Sequence, residues 1–112
     1  MSPPEATIDL DTMRASAAEA CRLMKVLSNP DRLLLLCQLA QGERCPSDLE
    51  AELGIVQPTL SQQLGVLRDE GLVATRRDGK RIHYHLSSDR ARAVMQVLYA
   101  QFCAPPSARS NV

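Results

Sequence analysis

Gln57-Pro-Thr-Leu-Ser-Gln-Gln-Leu-Gly-Val-Leu-Arg68 and, two residues on, Gly71-Leu-Val-Ala-Thr-Arg-Arg-Asp-Gly-Lys-Arg-Ile-His-Tyr84 decide the fold, because the apolar period changes between them. In the first stretch Leu60, Leu64 and Leu67 make the inward stripe of a helix that opens at Gln57-Pro58 and closes at Gly71. In the second the period drops to two. Val73, Thr75 and Arg77 mark one strand, and Ile82, Tyr84 and Leu86 alternate with Arg81, His83 and His85 on the next. Asp78-Gly79 between them is the signal of a type I′ hairpin.

Upstream, Ser47 is placed to cap a short helix carrying Leu49 and Leu53 and closed by Gly54, so two helices meet at a tight glycine-containing turn. Before them, Asn29-Pro30 has the cap and first-turn arrangement that starts a buried helix over Asp31 to Gln41, ended by Gly42. Leu10, Met13, Ala17, Ala20, Met24 and Leu27 form the stripe of a first helix expected to pack along its whole length. Downstream, Ser87 or Ser88 starts a last helix with Val94, Leu98 and Phe102 facing inward, stopped by Ala104-Pro105-Pro106. Five helices and two strands in this order predict a mainly α fold with a β-hairpin wing, a winged helix-turn-helix over 9–103. The segments 1–8 and 104–112 read as flexible tails.

The chain has 112 residues with one Phe, two Tyr and no Trp, so its core rests on Leu, Val and Ala. A domain this small buries only about two-thirds of its unfolded surface, which favours a homodimer. The longest unbroken apolar run, Leu33 to Cys37, is far short of the roughly 20 residues that span a bilayer, and the start Met-Ser-Pro-Pro-Glu lacks an export signal. A cytoplasmic protein with no membrane partner is expected. Net charge is zero, but it is polarised: residues 1–55 carry five basic and nine acidic groups, residues 56–112 eight and four.

The basic half holds the candidate site. Gln57, Thr59, Ser61, Gln62 and Gln63 crowd the first turns of the fourth helix, where side chains reach base edges when such a helix enters a major groove. Gln pairs best with adenine. Arg68 ends the same helix, and Arg76, Arg77, Lys80 and Arg81 surround the hairpin, suited to phosphates or a minor groove. Each feature alone is also what a solvated surface looks like. Their co-occurrence on adjacent elements of this topology points to double-stranded DNA as the partner.

Asn29-Pro-Asp-Arg-Leu-Leu-Leu-Leu36 and the two stretches quoted first resemble the ArsR/SmtB family of bacterial repressors over about residues 10–103. The resemblance implies a homodimer built on the first and last helices, an inverted-repeat operator read by the fourth helix and wing, and release of DNA when an inducer occupies a sensor site. Gln63 stands where the family often has His, which bears on base preference.

Metal sites of that family do not survive in this sequence. The stretch Glu43-Arg-Cys-Pro-Ser-Asp-Leu49 keeps Cys45 but has Ser47 where a second thiol would sit, and soft ions there need two or three thiolates. From Asp89 to Cys103 there is one Asp and no His or Glu to hold zinc. His83 and His85 share a strand face and read as exposed residues near DNA. No metal and no cofactor is expected.

Cys37 and Cys103, 66 residues apart, point elsewhere. With the Gln57 stretch, they resemble the BigR, SqrR and HlyU subgroup of thiol-based repressors. That resemblance implies a sensor of persulfides or polysulfides, in which a disulfide or longer sulfur bridge between Cys37 and Cys103 releases the operator. Read from the residues alone, Cys37 is on an apolar stripe and Cys103 at a helix C-terminus, settings that do not activate a thiol. Cys21 and Cys45 read as structural or incidental. The alternative is a metal(loid)-responsive or general oxidant-responsive repressor of the same family. An enzyme is not expected, since there is no Cys-x-x-Cys and no glycine-rich phosphate loop. A winged helix that binds only another protein would show no salt-dependent affinity for duplex DNA.

Overall fold

The structure, a computed structural model, describes residues 8–103. Its elements are α1 (Leu10–Leu27), α2 (Pro30–Ala40), α3 (Pro46–Leu53), α4 (Thr59–Asp69), β1 (Val73–Asp78), β2 (Arg81–Leu86) and α5 (Asp89–Leu98), the last continuing as a wide π-type turn over Tyr99–Cys103. This is the winged helix-turn-helix order read from the sequence. The expected tails lie outside the described residues apart from Ile8, as does the Ala104-Pro105-Pro106 stop. No helix of the described residues is long and apolar enough to cross a membrane.

Local chemistry sets most of the boundaries. Asn29 Oδ1 accepts from the Arg32 backbone N–H at 3.0 Å and Pro30 takes the first helical position, starting α2 as expected. Gly54 closes α3 with φ +74°, a left-handed conformation that costs an L side chain but not glycine. Ser88 caps α5 by accepting from the Ala91 N–H at 3.0 Å.

The cap of α3 is corrected. The helix begins at Pro46, so Cys45 takes the position assigned to Ser47. Its backbone N–H and its thiol both donate to Asp48 Oδ2, at 3.2 and 3.0 Å. Cys45 is buried, its thiol held by the Asp48 carboxylate.

The core is a leucine cluster. Leu35, Leu36 and Leu39 of α2 meet Leu49 of α3 and Leu60, Leu64 and Leu67 of α4, closed by Val73, Leu86, Ala91 and Met95. α2 is the hub that this cluster surrounds. Each of these leucines, fully buried, contributes roughly 1.5–3 kcal/mol.

Three expectations about packing change. Within the single chain α1 packs only through its C-terminal part: Val26 is its one buried residue, and Leu10, Met13 and Met24 lie exposed along its stripe. Phe102, expected to face inward, is 76% exposed within the chain, on a π-type turn none of whose residues is buried. The hairpin loop is Gly79-Lys80, between the paired residues Asp78 and Arg81. Only Gly79 has positive φ, so the turn follows type II′ and not type I′.

Candidate nucleic-acid interface and thiol pair

α4 begins at Thr59, one turn after a glycine-punctuated bend, and buries Leu60, Leu64 and Leu67, which turns its opposite face to solvent. That face carries Ser61, Gln62 and Arg68, all exposed, with Thr59 half-buried at its start. The three glutamines expected to act together are divided by their hydrogen bonds. Gln57 lies before the helix, and its Oε1 accepts from Ser61 Oγ at 2.6 Å and from the Ser61 N–H at 3.2 Å, capping the first turn. Gln63 turns towards α2, where its Oε1 accepts from Arg32 Nη1 at 3.0 Å. Gln62 is left facing outward. A bidentate pair with adenine uses both the amide oxygen and nitrogen, so Gln62 is the glutamine best placed for it.

The wing's basic residues do not form one patch. In the register Val73↔Leu86 to Asp78↔Arg81, Arg77 shares a face with Thr75, Ile82 and Tyr84, while Arg76 and Arg81 share the other with His83 and His85. Lys80 sits at the tip. Arg76 is held by Glu43 in a two-point contact, Nη2 to Oε1 at 2.7 Å and Nε to Oε2 at 3.0 Å. The Arg76 guanidinium holds the Glu43 carboxyl below the usual range, with smaller help from His83 and His85. Arg77, Lys80 and Arg81 stay exposed.

His83 and His85 are half-buried, not exposed. His83 Nε2 lies 3.9 Å from Asp78 Oδ2 and His85 Nδ1 lies 3.9 Å from Glu43 Oε2. Among the described residues no three His, Cys, Asp or Glu side chains come together as a metal-holding group.

α2 and the end of α5 bring the two singled-out cysteines to one groove of about 600 Å³, lined by Cys37, Ala40, Gln41, Met95, Gln96, Tyr99 and Cys103. Both are free thiols, Cys37 half-buried and Cys103 exposed. Burial pushes the Cys37 thiol up, and the neighbouring Cys103 raises it further. The Cys37 thiol donates towards Met95 Sδ at 3.9 Å. Cys21 is exposed on α1 and Cys45 is buried at the start of α3, and neither lines this groove.

Sequence patterns alone missed Arg32, Glu43 and Met95. Arg32 ties α2 to two other helices: Nε donates to the Val26 carbonyl of α1 at 2.8 Å and Nη1 to Gln63 of α4, while its backbone N–H donates to the Asn29 cap. Met95 looked like one more apolar residue of α5.

A model described as "Bacterial regulatory protein, arsR family" matches residues 29–75. The "Biofilm growth-associated repressor" of Agrobacterium fabrum is 54% identical over 88% of this chain and 84% of its own length. The crystal structure of the transcriptional repressor BigR from Xylella fastidiosa superposes with a TM-score of 0.79 at 47% identity, covering 88% of this chain and 100% of that one. The solution structure of the homodimeric winged helix-turn-helix DNA-binding domain Mb0332 from Mycobacterium bovis gives 0.68 at 31% identity, over 80% of this chain and 83% of that one.

Proposed function

The chain belongs to the arsR family of bacterial regulatory proteins, and on that premise we propose that it is a homodimeric DNA-binding transcriptional repressor switched by Cys37 and Cys103. It holds an inverted-repeat operator while both are thiols. Persulfides or polysulfides join them and release the DNA.

DNA binding is supported by the outward face of α4, with Gln62 and Ser61 over the major groove, and by Arg77, Lys80 and Arg81 on the wing. Dimerisation is supported by the unpartnered α1 stripe of Leu10, Met13 and Met24. It continues into an apolar groove between α1 and α5 lined by Ala20, Leu23, Met24, Leu27 and Val94. A continuous apolar face left open on a small chain is what a second copy covers.

The observation that carries the switch is that α2 and the α5 end place Cys37 and Cys103 in the same groove. Exposed Cys103 meets the inducer first. Its thiolate takes the outer sulfur of a persulfide and the parent thiol leaves. Cys37, as thiolate, then attacks the Cys103 sulfur and hydrosulfide leaves, giving a disulfide. If a second sulfur is taken up first, attack one sulfur further out gives a trisulfide and again releases hydrosulfide. Sulfane sulfur is the two-electron oxidant in both cases. Because Cys37 sits on the hub helix, a bridge to α5 shifts the base on which α4 rests.

The test is intact mass and non-reducing peptide mapping of the reduced protein after glutathione persulfide, peroxide or oxidised glutathione, with operator binding measured on the same samples. A persulfide-dependent Cys37–Cys103 species that no longer binds DNA supports the proposal. Equal cross-linking and release by peroxide would make it a general oxidant sensor. Normal release by Cys37→Ser would remove the sensor assignment.

A further inference from the structure

The groove between α2 and α5 holds a third sulfur that the switch does not use. Met95 is only 2% exposed and its thioether is fixed by the leucine cluster around it. Sδ lies 3.9 Å from Cys37 Sγ. Metal–sulfur bonds of about 2.3 Å set 120° apart place neighbouring sulfurs about 4.0 Å apart. Cys37 and Met95 are thus already spaced as two donors on one trigonal ion.

Cys103 lines the same groove and is exposed, so the third sulfur of the groove is offered from its solvent side. The other lining residues are Ala40, Gln41, Gln96 and Tyr99, so no carboxylate or imidazole is offered to a harder ion. Two thiolates and a thioether suit soft monovalent copper. Zinc at structural sites takes four donors and would find three. We infer that Cys37, Met95 and Cys103 form a trigonal all-sulfur site for Cu(I), a second ligand class for these thiols beside sulfane sulfur.

Binding is a ligand exchange without redox change: Cu(I) enters, two thiol protons leave, and the Cu(I) centre with two thiolates carries one negative charge. With the groove empty, burial first and the neighbouring Cys103 second make the Cys37 thiolate costly, and a cation seated beside it offsets that cost. Bound Cu(I) also occupies the electron pairs needed to attack sulfane sulfur. Loaded protein should therefore resist cross-linking.

The test is anaerobic titration of the reduced full-length protein with Cu(I) against a colorimetric Cu(I) chelator, with X-ray absorption on the loaded sample. One ion per chain in a shell of three sulfurs at about 2.3 Å is expected. Met95→Leu conserves volume in the core. Partners that merely orient a ligand are worth roughly 10–100-fold in metal affinity, so losing a direct donor should weaken binding at least roughly tenfold and leave two sulfurs in the shell. Cys103→Ser, at an exposed position that cannot disturb the core, should weaken it as well.

Stoichiometric binding unchanged in Met95→Leu and Cys103→Ser, or zinc binding as tightly on the same residues, overturns the inference. Persulfide cross-linking is read separately on each variant. If Met95→Leu still cross-links and releases DNA while copper never uses these residues, the repressor switch stands alone. If copper binds as expected but Cys37→Ser still responds to persulfide, the switch fails and the copper site stands.

Discussion

Arg32 of α2 donates from Nη1 to Oε1 of Gln63 on α4 at 3.0 Å, and the same guanidinium holds the Val26 carbonyl at the end of α1 at 2.8 Å. Gln63 therefore works as a strut between the hub helix and the helix offered to DNA. Gln62, one residue before it, points to solvent.

The two glutamines should respond differently. Gln62→Ala should relax operator preference at one base position, costing roughly 1–3 kcal/mol against the preferred sequence and little against others. Gln63→Ala should weaken all operators alike, since it loosens the seating of α4 without removing a base contact. A panel of single-base operator variants, measured by fluorescence anisotropy, separates the two patterns. Sequence relaxation by Gln63→Ala would show that the strut opens on DNA.

Glu43 and Arg76 make a second internal pair with a readable signature. Each phosphate neutralised on duplex DNA adds about 0.9 to the slope of log affinity against log salt. Arg76 is occupied by Glu43, so Arg76→Ala should leave that slope nearly unchanged, while Arg77→Ala and Lys80→Ala, each removing one contact per protomer, should each flatten it by about two for the dimer. Glu43→Gln should release Arg76 and steepen it by about the same amount.

The same pair sets an acid limit on stability. Arg76 holds the Glu43 carboxyl below its ordinary value of 4.5, and hydrogen bonds from Cys45 hold Asp48 below 3.8. A carboxylate depressed in the folded state contributes stability that is complete above its unfolded value and is lost as pH falls through the folded one. Denaturant midpoints should thus be flat from neutrality to about pH 5 and fall below the ordinary carboxylate values, with Glu43→Gln shallower in that acid limb. An acid limb identical in the two proteins would show that Arg76 does not hold Glu43 in solution.

The element order was legible because each boundary has a local cause: the Asn29-Pro30 start, Gly54, the period change at Gly71 and the glycine in the hairpin loop. The leucine stripe of α4 was legible for the same reason. What local pattern did not carry was the partner of each polar group. Nothing in the spacing distinguishes Gln62 from Gln63, since their difference arises from Arg32, 31 residues away from Gln63. Arg76 read as one of four wing cations because Glu43, its partner, lies in the α2–α3 loop. The Cys37 and Cys103 groove was indicated by family resemblance; the residues alone read as packing thiols. Met95 entered the site only when α2 and α5 were seen to pack.

The exposed α1 stripe gives a prediction about assembly. Met13 is exposed far from the leucine cluster, so Met13→Glu should leave the fold intact by circular dichroism. Facing a second copy, the carboxylate would be buried against Leu10 and its neighbours without a partner, which is costly. The dimer should weaken by roughly 100-fold or more in Kd, about 2.7 kcal/mol, read by sedimentation at several concentrations. Operator affinity should fall with it, since two half-sites about one helical turn apart need two tethered recognition helices. A variant that remains dimeric at the dilution where the parent is half-dissociated would place the interface elsewhere.

The thiol pair predicts how Cys37 reacts. Burial raises its pKa first and Cys103 second, and only the thiolate is nucleophilic. Alkylation of Cys37 by iodoacetamide should therefore rise about tenfold per pH unit through neutrality, without levelling off below the ordinary thiol range. Cys103→Ser removes the like charge that faces Cys37 once thiols ionise, so at alkaline pH Cys37 should alkylate faster in that variant than in the parent, with little difference at neutrality. Peptide mapping of early time points reads this rate separately from Cys21 and Cys45. A Cys37 rate unaffected by Cys103→Ser even at alkaline pH would mean that the two thiols do not sense each other in solution, and the single-groove cross-link would lose its physical basis.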